Sequence, residues 1–182
     1  MQNTKAERRV AHWRIALWGG AALLLLAPLV AMQFTTEVAW TGSDFLIFGI
    51  MLAIVVGGVE LAVRLSRHYA YRAASGVALV AGFLLVWMNL AVGIIGNENN
   101  PLNMMYGGVL ATGLLGAAIA RFRPAGMARA MIAMAAAQVL VAAVAQAAGH
   151  FTWVLTAVFV ALWLGSAWLY RDAARDQAAA VA

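Results

Sequence analysis

Residues 45–72 read FLIFGIMLAIVVGGVELAVRLSRHYAYR, and this stretch decides the fold. Its first 19 residues contain one charged side chain, Glu60, whereas the next nine contain three arginines. A helix crosses the hydrocarbon layer of a bilayer in about 20 residues. The stretch therefore predicts a membrane-spanning helix that ends at a basic boundary.

The rest of the chain has the same character. Of its 182 residues, 65% are hydrophobic and 10% are charged, against about 25% charged in an ordinary soluble domain. So few charges cannot cover a water-facing surface, and high hydrophobicity also argues against disorder. The chain has no cysteine, which excludes disulfides, thiol nucleophiles and thiolate metal sites.

Six apolar stretches have membrane-spanning length. The predicted fold is all-α, a six-transmembrane-helix bundle of three helical hairpins. A basic arm (1–14) and a short tail (171–182) flank a transmembrane domain (15–170). The predicted spans are 15–32, 45–63, 74–95, 102–120, 128–148 and 151–170.

The twelve basic residues follow this division. Four precede the first span, three lie between the second and third, three between the fourth and fifth, and two follow the sixth. The alternate loops hold Glu37, Asp44 and Glu98 and no Lys or Arg. The positive-inside rule then places both termini in the cytoplasm. The positive charges lie between the apolar spans and do not line one face of a soluble domain. The predicted partner is therefore the lipid bilayer and not nucleic acid.

Small and polar residues at three- and four-residue spacing predict which faces pack together. Gly108, Thr112 and Gly116 share one face of the fourth span, and Gln138, Ala142, Ala145 and Gly149 share one face of the fifth. We expect helices two to five to form the packed centre, and helices one and six to face lipid.

Glu60 is the one carboxylate inside a predicted span. An ionised group at mid-membrane costs about 2.5–3.5 kcal/mol, so such a residue is either paired or functional. One interpretation is an ion pair with Arg64, one helical turn away. The other is a proton or cation site of a small carrier.

Asn89, Thr112 and Gln138 are further polar side chains predicted well inside the bilayer, at broadly similar depth. They can line a substrate path, but such residues more commonly hydrogen-bond between helices. In the carrier interpretation the ligand-binding residues are Glu60, Asn89 and Gln138.

The outer turn between the third and fourth spans has the most unusual local sequence. Asn100 before Pro101 predicts an N-cap and a first-turn proline. Asn97, Glu98, Asn99 and Asn100 can instead contact a partner, and their oxygens suit a hard cation such as calcium. The spacing of a calcium loop is missing, so capping and a tight turn are the favoured interpretation.

Catalysis is not predicted. The three histidines, His12, His68 and His150, are split between the two sides of the membrane, which does not suit a bis-histidine haem. No metalloprotease, serine hydrolase or phosphate-loop motif occurs. We expect no enzyme activity, no cofactor and no metal.

Residues 87–101, WMNLAVGIIGNENNP, and residues 58–64, GVELAVR, resemble stretches of small uncharacterised inner-membrane proteins of Gram-negative bacteria. The resemblance covers the second to fourth spans. It implies a bacterial inner-membrane location and no particular activity. The leading hypothesis is a structural, accessory or regulatory membrane protein that contacts another membrane protein or a second copy of itself. The carrier using Glu60 is the alternative.

Overall fold

The computed structural model describes the backbone of residues 3–180 and the side chains of residues 12–180. Within that part, the regular structure is entirely helical. Six helices are long and apolar enough to cross a membrane, which confirms the predicted number. They are α1 (Asn3–Ala31), α2 (Gly42–Leu65), α3 (Tyr69–Ala91), α4 (Met105–Ala120), α5 (Pro124–Ala147) and α6 (Trp153–Ala179), with a 3-10 turn at Pro101–Met104 leading into α4.

Several boundaries differ from the prediction, including both ends of α3, the start of α5 and the end of α6. Helix α3 ends at Ala91, because the chain turns at Gly93 and Gly96, whose φ angles are +68° and +73°. Residues that carry a side chain rarely adopt such positive φ angles, whereas glycine does so readily. Helix α6 runs through most of the predicted tail to Ala179.

The chain divides into two compact units between Leu61 and Ala62. The first unit holds α1 and most of α2. Here Gly49 of α2 faces Leu25 of α1, whose side chain would lie 3.7 Å from a Cβ added at Gly49. The missing side chain at Gly49 therefore lets the two helices approach closely.

In the second unit, α5 packs against both α4 and α6, and α3 packs chiefly against α6. The prediction that helix six faces lipid is therefore wrong. The buried residues of α6 recur three and four apart along one face, while Leu164 and Trp168 are exposed. The prediction treated the large apolar residues of α6 as one group and did not separate the faces of the helix. The buried inner face consists of Thr156, Phe159, Trp163, Ser166, Ala167, Tyr170 and Ala173.

Helices α4 and α5 meet where side chains are smallest. A Cβ added at Gly116 would lie 2.6 Å from the Cβ of Ala130. The predicted face of α4 is partly wrong, because Gly108 is exposed and has open space around it. The buried residues of α4 are Tyr106, Val109 and Gly113. The predicted face of α5 is confirmed for Gln138, Ala142 and Ala145, which are all buried. It is wrong for Gly149, which is exposed and follows the end of the helix at Ala147.

Candidate functional site

Glu60 is held by two residues of α1 within the first unit. The Nε of Arg14 donates to Oε1 of Glu60 at 2.8 Å, and its Nη2 donates to Oε2 at 3.1 Å. The indole Nε1 of Trp18 donates to the same Oε1 at 3.0 Å. Arg14 and Trp18 are four residues apart, so one face of α1 presents both donors. We call these three residues the Glu60 clamp.

The clamp compensates a charge that the bilayer would otherwise disfavour. Glu60 itself is 9% exposed, whereas the Arg14 side chain is 47% exposed. Glu60 lies five residues before the end of α2 at Leu65, or about 7.5 Å along the helix axis. The arginine can therefore reach the polar boundary while its guanidinium binds the carboxylate. The predicted ion pair between Glu60 and Arg64 stays a prediction.

A second constellation lies in the turn between α3 and α4 (residues 92–100, the α3–α4 turn). It is organised by Asn103, which is 6% exposed. The Oδ1 of Asn103 accepts from the backbone N–H of Ile95 at 2.8 Å, and its Nδ2 donates to the carbonyl of Asn97 at 2.6 Å. The backbone carbonyl of Asn103 in turn accepts from Nδ2 of Asn89 at 2.9 Å. The amide side chain of Asn103 thus ties the α3–α4 turn, at Ile95 and Asn97, to the 3-10 turn that leads into α4.

The predicted cap is confirmed. Asn100 Oδ1 accepts from the backbone N–H of Leu102 at 3.0 Å, with Pro101 at the first position of the 3-10 turn. Asn100 Nδ2 also lies 3.3 Å from Nε2 of His150, which joins this turn to the α5–α6 turn. Asn97, Glu98 and Asn99 are exposed. The turn therefore presents three polar side chains on a backbone that buried hydrogen bonds hold in place.

A third constellation is a column of buried polar residues along α6. We name it the α6 seam: Thr152, Thr156, Trp163, Ser166 and Tyr170, all buried. The 18 residues from first to last correspond to about 27 Å of helix, close to the thickness of the hydrocarbon layer.

The end of the seam near Tyr170 is hydrogen-bonded. The hydroxyl oxygens of Tyr170 and Ser75 are 2.8 Å apart, and Ser166 Oγ donates to the carbonyl of Ala74 at 2.9 Å. Tyr71 packs edge-on against Tyr170, with ring centroids 5.1 Å apart. Hydrogen bonds of this kind hold transmembrane helices together.

The other end of the seam contains polar atoms that lack a hydrogen-bond partner among the described residues. They include Oγ1 of Thr156 and Nε1 of Trp163. In α5, Oε1 of Gln138 also lacks a partner among the described residues. The hydroxyl of Tyr106 lies near that of Thr152, but neither makes a hydrogen bond of good geometry. Gln138 is nine residues from the end of α5 and Trp163 is ten from the start of α6, so both lie at one level. Neutral amide, indole and hydroxyl groups can bind a small polar solute, but none is an acid or base at neutral pH.

The three polar residues predicted to line a path are not brought together at one depth. Asn89 lies two residues before the end of α3 and donates to the carbonyl of Asn103, whereas Gln138 lies nine residues before the end of α5. The Thr112 hydroxyl donates to the carbonyl of Gly108 in its own helix at 2.9 Å. The expectation of a similar depth for Asn89 and Gln138 is therefore wrong, because α3 ends four residues early.

His68 and His150 lie in the connections next to helix ends, whereas His12 lies within α1. His68 Nε2 lies 2.7 Å from Oδ2 of Asp176, which ties the α2–α3 connection to the end of α6. Among residues 12–180, no group of three or more His, Asp or Glu side chains has the arrangement of a metal site.

Comparison with known proteins identifies no relative: no family model, no curated protein and no solved structure matches this chain.

Sequence reasoning missed several residues of these constellations. Arg14 and Trp18 are four residues apart and lie at a predicted depth similar to that of Glu60. This shared depth could have indicated that they bind Glu60. The seam was visible as polar residues at three-, four- and seven-residue spacing in the sixth span. Asn103 carried no signal, because its role depends on the fold of the turn.

Proposed function

We propose that this chain is a non-enzymatic, multi-pass protein of the bacterial inner membrane that acts as an accessory or regulatory subunit. In this proposal the six spans form three hairpins with both termini in the cytoplasm. The α3–α4 turn then faces the opposite side of the membrane and contacts a partner membrane protein through Asn97, Glu98 and Asn99.

The rigid presentation of the α3–α4 turn carries this proposal. A loop whose bound conformation already exists loses less conformational entropy on binding, and exposed loops on rigid scaffolds commonly carry recognition. Asn103 fixes the turn from beneath, while Ile94 and Ile95 are buried under it. The backbone that carries three exposed polar side chains is thereby held by buried hydrogen bonds, and a partner can recognise the surface it presents.

Site-specific photo-cross-linking in intact cells tests the proposal. A photoreactive residue at Asn97 or Asn99 is expected to give one discrete adduct with a membrane protein, and its mass distinguishes a second copy of this chain from another protein. Substitution of Asn103→Ala removes the support of the turn, so the adduct is expected to weaken while the protein still inserts.

Gln33 provides the matched control position. It is exposed and follows α1, in another connection predicted on the same side of the membrane. A photoreactive residue there is expected to give no discrete adduct. Equal labelling at Gln33 and Asn99, or an adduct that persists unchanged with Asn103→Ala, would contradict recognition by the turn.

A carrier is the second candidate, and the unpaired polar atoms of the second unit favour it. Oδ1 of Asn89 and Oε1 of Gln138 are buried without hydrogen-bond partners among the described residues, and such groups are costly unless they serve a ligand or structural water. Against this, Glu60 already binds Arg14 and Trp18. The Glu60→Gln variant separates the two functions, because only a carrier that uses Glu60 would lose its flux.

A further inference from the structure

An arginine-lined cleft lies between the beginning of α5 and the end of α6. It has a volume of about 360 Å³ and is lined by Ala125, Ala128, Arg129, Arg171, Ala174, Arg175 and Ala178. Arg171 and Arg175 are four residues apart on α6, so their side chains extend from one face, and Arg129 faces them from α5. The four alanines leave the space between the helices open. We call this the arginine cleft.

The positive charge of the cleft is not neutralised by its own lining. None of the residues that line it is acidic. Asp172 and Asp176 lie nearby in sequence, but neither lines the cleft, and Asp176 is bound to His68. Within residues 12–180, no ion pair or hydrogen bond joins a carboxylate to any of the three guanidinium groups. Three cations therefore surround an open space.

The position of the cleft suits a lipid headgroup. Its residues belong to the first two turns of α5 and the last turns of α6, so the cleft sits where the apolar spans reach the membrane boundary. The positive-inside rule assigns this boundary to the cytoplasmic leaflet. Basic pockets between transmembrane helices on that side bind phosphate-bearing headgroups, and guanidinium groups match phosphate oxygens bidentately.

We propose that the arginine cleft binds the phosphate headgroup of an anionic phospholipid. The three arginines hold the phosphate, and the alanine-lined walls and neighbouring apolar helix surface contact the first segments of the acyl chains. The bound lipid joins α5 to α6 at their cytoplasmic ends. This inference is independent of the partner contact made by the α3–α4 turn.

The test compares lipid retention by native mass spectrometry and unfolding midpoints in nanodiscs of phosphatidylglycerol or of phosphatidylcholine. The cleft variant carries Arg129→Gln, Arg171→Gln and Arg175→Gln. The control variant carries Arg67→Gln, Arg121→Gln and Arg123→Gln, which removes the same charge from the same predicted side but outside the cleft. Because each arginine beside an anionic headgroup contributes roughly a fivefold factor, the cleft variant is expected to retain phosphatidylglycerol about a hundredfold more weakly.

Phosphatidylglycerol is expected to raise the unfolding midpoint of the parent and of the control variant, relative to phosphatidylcholine, and not that of the cleft variant. Equal losses in both variants would overturn the proposal in favour of general surface attraction. Inorganic phosphate is added in detergent as a separate arm. If it alone reproduces the stabilisation, the site binds a free anion and the lipid assignment is overturned.

If the cleft variant does not fold, the single variants Arg171→Gln and Arg175→Gln are measured for retained phosphatidylglycerol. Weaker retention than in Arg67→Gln supports the proposal, and equal retention overturns it. A further variant, Ala178→Trp, fills the cleft and keeps every charge. It is expected to lose bound lipid as well, which simple charge attraction does not explain.

Discussion

Glu60 stands in an apolar helix, and the side chains of Arg14 and Trp18 offset the cost of placing a charge there. Each of the two carboxylate oxygens accepts a hydrogen bond from Arg14, and one also accepts from Trp18. Removing one member of a desolvated charge pair leaves the other without compensation, and this costs more than removing both. The clamp therefore connects α1 to α2 through three partly buried hydrogen bonds to one carboxylate.

We expect Arg14→Gln and Glu60→Gln each to weaken the α1–α2 association by about 1–3 kcal/mol, and the double variant to lose less than the sum of the two. Because the chain has no cysteine, the association can be measured by cross-linking of Leu25→Cys with Gly49→Cys, which face each other. Strictly additive losses would show that Arg14 and Glu60 do not interact.

The same Glu60→Gln variant distinguishes the two candidate functions. In an accessory protein it is expected to leave proton-dependent flux across reconstituted vesicles unchanged. A carrier that uses Glu60 would lose this flux while the protein stays folded and inserted. Flux in the parent that Glu60→Gln abolishes would therefore replace the accessory proposal by the carrier.

Helices α4 and α5 illustrate how backbones associate inside a bilayer. Lipid chains are as apolar as leucine, so helices gain little from the hydrophobic effect and associate through close packing of small residues. At Gly116 an added Cβ would also lie 3.2 Å from the Cα of Ala130, and a backbone atom cannot move aside without shifting the helix. At Gly113 the nearest atoms belong to the flexible side chain of Met134.

We expect Gly116→Ala to lower the free energy of unfolding by about 1–3 kcal/mol, as overpacking typically does. Gly113→Ala is expected to cost less, because Met134 can change its rotamer. Gly108→Ala is the matched control in the same helix, since nothing lies within 4 Å of its added Cβ. It is expected to have no destabilising effect. Unfolding midpoints in detergent check the ranking, and a loss for Gly108→Ala equal to that for Gly116→Ala would contradict it.

The orientation of the whole chain rests on its charge distribution. The predicted order of six spans puts all twelve basic residues on one side, and the positive-inside rule then predicts both termini in the cytoplasm. Alkaline phosphatase, which is active only outside the cytoplasm, is expected to be inactive when fused after Gln177 and active after Thr36. An active fusion at Gln177 would reverse the assignment and would place the arginine cleft in the other leaflet.

Much of the architecture was predictable because membrane solvation acts on local sequence. A bilayer requires about 20 apolar residues per helix, so the six helices follow from the positions and lengths of the apolar stretches. The cap at Asn100 was predictable for the same local reason, since neighbouring residues determine it. On α5 the spacing of polar and small residues indicated the inner face for Gln138, Ala142 and Ala145. Helix faces were predicted less well where small residues were abundant, as on α4, because Gly108 and Gly116 look alike in sequence.

The residues of the chain therefore determine by themselves that it is helical, how many helices have membrane-spanning length and, through the basic residues, which orientation is favoured. Solvation by lipid acts on each segment separately, and so does the preference of basic residues for the cytoplasmic side. Only the tertiary structure decides that Arg14 and Trp18 bind Glu60, that α6 packs inside the second unit and that three arginines surround one cleft. These features depend on which helix faces meet, and the energies that choose between faces are small and spread over many distant residues.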